Sequence, residues 1–272
     1  MAEVTDDPTP AEPNPHFGEQ GGLLTYTDYL RLADLLAQQV PESSPARHDE
    51  LLFITIHQVY ELWFKLLLAE LTDARDRMLD GEAYLPRVRL ERCHAVERVL
   101  IGQVDVIDTM TPQDFLAFRT KLAPASGFQS AQFREIEFLS GLKDPQFLSR
   151  FRGLGETERE RLHRRLAEPS LWDGFLAVLG RAGFAVETAE QRFTAYRQIA
   201  VDRERYGPLW DLAEALVAHD QSFSLWRARH VLMAERQIGT KPGTGGSAGG
   251  AYLRSRVETR FYPELWELRS RL

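Results

Sequence analysis

The sequence predicts an all-α protein. Three observations carry this. Apolar residues recur at helical spacing from Leu23 to the C-terminus, no stretch alternates β-branched and polar residues, and no tight-turn signal lies between strand-like runs. Residues 1–20 are acidic and hold Pro8, Pro10, Pro13 and Pro15, which predicts a flexible N-terminal arm. Residues 21–272 read as one all-helical domain. Leu23, Tyr26, Leu30 and Leu35 begin the helical spacing. After the prolines at 41 and 45, His48, Asp49 and Glu50 suit a helix start, because acidic groups favour the positive end of the dipole. A helix is predicted over 49–80. Its apolar residues cover most of its circumference, which marks a central, buried helix. His57, Gln58, Glu61, Lys65 and Glu70 make it too polar for a membrane span. Further helices are predicted over 87–109, 112–121, 130–141, 156–166, 170–181, 184–200, 203–219, 221–237 and 251–271. Pro112 suits the first position of its helix, 124–127 reads as a stop and turn, and 153–156 is the candidate hinge. Five glycines between 243 and 250 predict a mobile loop.

Composition narrows the function. With 272 residues, 43% hydrophobic and 27% charged, the chain is globular in type, so collagen-like and wholly disordered readings are excluded. A net charge of -7 repels phosphate backbones and anionic lipid, so neither nucleic acid nor a membrane is the expected partner. The single cysteine, Cys93, rules out an internal disulfide and any cysteine-based zinc cluster. Residues 1–20 lack the apolar core of a signal peptide. A cytoplasmic location is the expectation.

Of seven histidines, two fall on strongly apolar helices. His57 shares a face with Phe53, Glu61 and Phe64. His230 lies on the stripe Phe223, Trp226, Met233. A buried histidine needs partners for its ring nitrogens, so each is either a satisfied core residue or a ligand. Two on separate aromatic-rich helices raise the option of a haem held through an axial histidine. Other constellations compete poorly. There is no HExxH, no paired Glu-x-x-His and no Gly-x-Ser-x-Gly. Residues 243–248 fit GxGxxA formally, but follow a helix rather than a strand. Phe115 and Arg119 lie four apart on one helix. Arg119 either reaches to water or offers a planar fork to a carboxylate, with Ser126 and Gly127 a few residues on.

Four segments carry a resemblance. These are 48–65 (HDELLFITIHQVYELWFK), 115–119 (FLAFR) followed by 124–130 (PASGFQS), 225–230 (LWRARH) and 243–247 (GTGGS). In this order and spacing the chain resembles the tryptophan 2,3-dioxygenase family from about Leu23 to its end. The resemblance implies an all-helical homotetramer with one haem b per subunit. It also implies oxidation of L-tryptophan by O2 to N-formyl-L-kynurenine, the first step of tryptophan degradation. His230 then matches the axial iron ligand and His57 the distal histidine that bonds the indole N–H. Phe53 matches the aromatic flanking the indole, and Arg119 the carboxylate clamp. Thr244 matches the loop threonine at the ammonium and carboxylate end, and Ser126 and Gly127 line substrate and haem edge. Tyr26, Tyr29 and Leu30 match residues that a neighbouring subunit lends to the pocket.

Some positions depart from part of the family. Phe115 stands where several bacterial members have a carboxylate-bonding tyrosine, and Val104 where some have a tryptophan near the haem; His57 is retained. An alternative of the same fold is a haem monooxygenase acting on a substituted tryptophan to give an oxindole-type product.

Overall fold

The computed structural model describes residues 24–150, 153–246 and 249–272. The arm expected over 1–20 lies outside them. No strand occurs among the described residues. The chain divides into two units, one ending at Val40 and one running from Pro41 to Leu272.

In the first unit, α1 (Tyr26–Leu30) and α2 (Leu32–Leu35) are joined at Arg31, whose φ is 54°. Thr25 caps α1 by accepting from the Asp28 amide at 3.1 Å. Leu24, Tyr26, Tyr29 and Leu36 are all about 70% exposed.

The second unit is organised by three long helices, α3 (His48–Leu79), α4 (Tyr84–Ile107) and a helix considered below. Asp49 and Glu50 occupy the first turn of α3 as expected, and buried Glu50 accepts from the Glu42 and Ser43 amides at 2.7 and 3.1 Å. The C-terminal half of α3 supplies most of its core residues, Phe64, Leu67, Leu68, Leu71, Ala74 and Met78, with Ile56 buried in the first half. Its first half is less buried than expected, with Leu51 and Leu62 half exposed. By length and composition α3 does pass for a membrane span among the described residues, contrary to the expectation. A core-forming second half and a cavity-lining first half account for that apolarity.

Next come α5 (Pro112–Leu122), a 3₁₀ turn (Gly127–Gln129), α6 (Ala131–Ser140), α7 (Gln146–Arg150), α8 (Glu156–Ala167), α9 (Leu171–Arg181) and α10 (Ala189–Val201). Thr111 caps α5 and Pro112 opens it. The expected hinge at 153–156 is the entry to α8, where the Glu158 carboxylate accepts from the Gly155 amide at 2.9 Å. Helix α10 starts later than expected because Thr188 and Gln191 form a capping box.

Two expectations at the C-terminal end are corrected. The helices predicted over 203–219 and 221–237 are one, α11 (Arg203–Ile238), bent at Tyr206 two residues before Pro208. Asp220 does not break it. Its carboxylate is fully buried and Oδ2 accepts from the Phe261 and Tyr262 amides and the Trp266 indole at 2.9, 3.1 and 2.9 Å. The helix predicted over 251–271 is two, α12 (Gly250–Ser255) and α13 (Pro263–Arg271). Pro263 disfavours helical backbone at Tyr262, and the amides freed there are those Asp220 receives. Helix α3 packs mainly on α4, α9 and α6, and α11 on α4, α10 and α12.

A polar chain crosses the core. Nδ1 of His219 faces Glu97 Oε1 at 2.5 Å and Nε2 faces the Ser140 hydroxyl at 2.9 Å. The order serine, histidine, acid is that of a hydrolase triad, but Ser140 and His219 have no exposed surface, so no substrate reaches the hydroxyl. Its role is structural. Cys93, close by, is buried, and burial together with the Glu97 and Glu70 charges holds its thiol well above the ordinary range. Replacing His219 by phenylalanine strands the Glu97 carboxylate in the core. The expected loss is about 3 kcal/mol of unfolding free energy, read from the urea midpoint; an unmoved midpoint would contradict the assignment.

Candidate active site

The N-terminal half of α3, the end of α4, α5, α6, the C-terminal half of α11 and α12 enclose a cavity of about 300 Å³. That is the size range of small-molecule and cofactor sites. Its walls are mostly aromatic and aliphatic. His57, Phe53, Phe115, Arg119, Ser126, Gly127, Thr244 and His230 all line it. They come from α3, α5, the turn after α5, α11 and the loop after α11. Tyr26, Tyr29 and Leu30 lie on α1 in the first unit.

Residues one helical turn apart build the α3 wall. The Phe53 and His57 rings are 4.1 Å apart, and Phe53 also stacks on Phe115 at 5.6 Å. Nδ1 of His57 is 2.7 Å from the Phe53 carbonyl. A carbonyl only accepts, so Nδ1 carries the proton, and in the neutral ring Nε2 is left with a free lone pair. Burial lowers the His57 pKa against the opposing pull of that carbonyl and of Glu61, so the ring is neutral near pH 7. Glu61 is held aside by Gln132, whose amide donates to its carbonyl at 2.9 Å and its carboxylate at 2.8 Å.

On α11, His230 stacks on Trp226 with centroids 5.0 Å apart and planes 14° apart. No hydrogen bond to either His230 nitrogen occurs among the described residues. Protein surrounds the ring, and the surface left to it belongs to the cavity wall. Burial, and then the charge His57 would carry if protonated, lowers its pKa to about 4. Burial thus keeps both rings neutral, and the neutral form is the one that binds a metal.

Arg119 reaches the cavity from α5. One of its terminal nitrogens donates to the Pro242 carbonyl, and its buried Nε has no partner among the described residues. Across from it, the loop after α11 lies against the turn at 124–127. The Thr244 hydroxyl donates to the Ala125 carbonyl at 2.7 Å, and a side chain at Gly245 would stand 2.8 Å from Ser126 Cβ. Glycine is required there for close approach, not for flexibility alone. Where the sequence predicted only a mobile loop, the described part of it is seated on this turn. Val104, the small residue noted above, is buried at the cavity wall. Sequence reasoning did not find Arg134, Glu137, Arg227 and Arg256, which also line the cavity. Spacing put Arg134 and Glu137 one turn apart, but nothing local showed that this pair is turned inward.

An all-helical chain with two uncharged imidazoles and a guanidinium around one apolar cavity is a cofactor-dependent enzyme in design. A family model for tryptophan 2,3-dioxygenase matches residues 11–198 and 185–272. Tryptophan 2,3-dioxygenases of Nocardioides sp., Herpetosiphon aurantiacus and Caulobacter vibrioides are 59%, 45% and 42% identical to it. The alignments cover 94%, 92% and 92% of this chain and 97%, 98% and 98% of those proteins. The chain belongs to the tryptophan 2,3-dioxygenase family, whose members are haem-dependent. Its residues fit a haem: His230 is a neutral imidazole without a hydrogen-bond partner, aligned by a stacked indole at the wall of an apolar space.

The lowered pKa of His230 makes a prediction for the apoprotein. Between about pH 6.5 and 4 the unfolded chain takes up a proton that the folded ring refuses, so stability falls as pH drops through this window and is full above it. Urea denaturation at pH 7 and pH 5 should show the wild type losing more stability than His230→Ala; equal losses would place the ring in a solvated setting.

Proposed function

We propose that this chain is a haem-dependent dioxygenase that converts L-tryptophan and O2 to N-formyl-L-kynurenine. The observation that carries the proposal is the meeting of two neutral imidazoles, from α3 and α11, with Arg119 in one mostly apolar cavity. The haem, when bound, supplies the iron chemistry that adds both atoms of O2 across the indole C2–C3 bond. Holding, orienting and shielding fall to the protein.

His230 would hold the haem iron through its ring. Its ring needs no deprotonation near neutral pH, and its stack on Trp226 fixes the ring plane that a hydrogen bond more commonly fixes. Nε2 of His57 accepts the indole N–H, since its tautomer is set by the Phe53 carbonyl. Phe53 flanks the indole and Phe115 stands behind it. Arg119 takes the substrate carboxylate as a planar fork, and exchanging the Pro242 carbonyl for an anion improves its pairing. Phe115 offers no hydroxyl to that carboxylate, so Arg119 bears the recognition without tyrosine's help. Thr244 holds the ammonium end, and Ser126 and Gly127 form the floor on which its loop closes, excluding water.

The assembly is a homotetramer in which Tyr26, Tyr29 and Leu30 of one subunit complete a neighbour's pocket. Support comes from α1, whose tyrosines are exposed apolar surface in need of cover. A cytoplasmic setting agrees with a lone, buried, unreactive thiol. The one-oxygen outcome on a substituted tryptophan is not favoured by the named relatives.

Three measurements test this. Turnover of L-tryptophan under isotopically labelled O2 should give a product carrying both labelled atoms; one labelled atom would refute the dioxygenase assignment. Arg119→Ala should cut kcat/KM for L-tryptophan about a hundredfold, while binding of tryptamine, which lacks the carboxylate, stays within a factor of a few. Equal losses for both compounds would remove Arg119 from the clamp. Deleting residues 1–30 should abolish turnover with helical content retained; normal kinetics would show that the pocket needs nothing from α1.

A further inference from the structure

Four cavity residues have no task in the reaction described so far. Arg134 and Glu137 lie one turn apart on α6, Arg227 on α11, and Arg256 at the end of α12. Glu137 is 2% exposed and both its oxygens are engaged, Oε2 by Arg134 and Oε1 by Arg227 at 2.9 Å. Arg227 also donates to the Thr259 carbonyl at 3.0 Å. Arg256 has no carboxylate within ion-pair reach among the described residues. Arg134 is 7% exposed, yet its Nε is buried with no acceptor among the described residues. Phe147 lies 3.8 Å below its guanidinium, which holds the group in place without neutralising it.

One carboxylate thus serves two guanidiniums, while a third, Arg256, lines the same cavity with no acid of its own among the described residues. Among the described residues of the cavity wall, Arg119, Arg134, Arg227 and Arg256 face only Glu61 and Glu137, an excess of two positive charges. A buried lysine or histidine could discharge itself by losing a proton. Arginine cannot, so the excess calls for an anion. Burial weakens the Arg134 charge, and the neighbouring Arg256 and Arg227 charges act in the same direction against Glu137. A zwitterionic amino acid brings no net charge to offset two cations. A flat macrocycle carrying two carboxylates does.

We propose that Arg134 and Arg256, braced by Arg227 and Glu137, form the seat for the two propionate carboxylates of the haem, and so set which porphyrins this chain accepts and how they are turned. This rests on the haem reading above. Arg134 Nε and the free donors of Arg256 are the unfilled positions, and Arg227 is the strut that keeps Glu137 from neutralising Arg134 alone.

The test is titration of the apoprotein with hemin and with hemin dimethyl ester, in which both carboxylates are masked, followed by the Soret band. Wild type should bind hemin at least about tenfold more tightly than the ester, the worth of one charge-assisted contact. Arg256→Gln should weaken hemin about tenfold and leave the ester unchanged. Arg134→Gln should do the same if a cooperative thermal transition shows that it folds; Arg256, less buried, keeps the test decisive if it does not. Equal wild-type affinity for hemin and ester, or an equal loss of both in Arg256→Gln, overturns the seat while leaving the haem reading standing. A wild-type protein that gives no Soret band with either porphyrin overturns the haem reading and the seat together.

Discussion

Burial keeps the cavity imidazoles uncharged, and the rest of the site depends on that. A protonated His230 could not hold a metal, and a protonated His57 could not accept from an indole. Neutrality needs apolar walls, and the walls need helices long enough to be core at one end and cavity at the other. Helix α3, of 32 residues, and α11, of 36, meet that demand. Their packed ends hold the frame while their other ends remain apart. Three polar side chains along the opening each donate to a backbone carbonyl. Gln103 donates to the Ile56 carbonyl at 3.0 Å, Gln237 to the Met110 carbonyl at 2.7 Å and Tyr60 to the Leu100 carbonyl at 2.8 Å. None of these groups competes for the lone pairs of the two imidazoles.

The site treats its two kinds of cation in opposite ways. Imidazoles are discharged by their surroundings, burial first in both. Guanidiniums keep their charge and are positioned by aromatic faces and a shared carboxylate. A ring that must offer a lone pair and a fork that must attract an anion therefore lie within one cavity without interfering, because each residue type answers desolvation differently.

Local pattern made much of this legible. Period and punctuation located α3, α5 and α9 to within a few residues, since each begins at a proline, an acidic turn or a capping residue, and period alone placed α4. They failed where tertiary contact decides. Asp220 looks like a helix end in isolation, yet it is buried inside α11 as an acceptor for amides some forty residues on. The stretch 251–271 looks continuous, yet those amides are turned away from helix there. At the site, spacing told which face of α3 bears Phe53 and His57, and the resemblance supplied their roles. It was silent about Arg134 and Arg256, because an arginine on an amphipathic helix usually faces water. Only the assembled fold shows Arg134 and Arg227 sharing one acid, with Arg256 in the same cavity wall.

The placement of sulfur has a consequence for the lifetime of the molecule. Cys93 sits in the core with its thiol held in the unreactive form. Met110 and Met233 line the cavity. Stray oxidant escaping at the cavity meets thioethers before it meets the thiol. The sulfur an oxidant reaches first in this cavity is therefore of the kind whose sulfoxide repair reductases reverse, and the kind that ends in irreversible sulfonic acid lies out of its path.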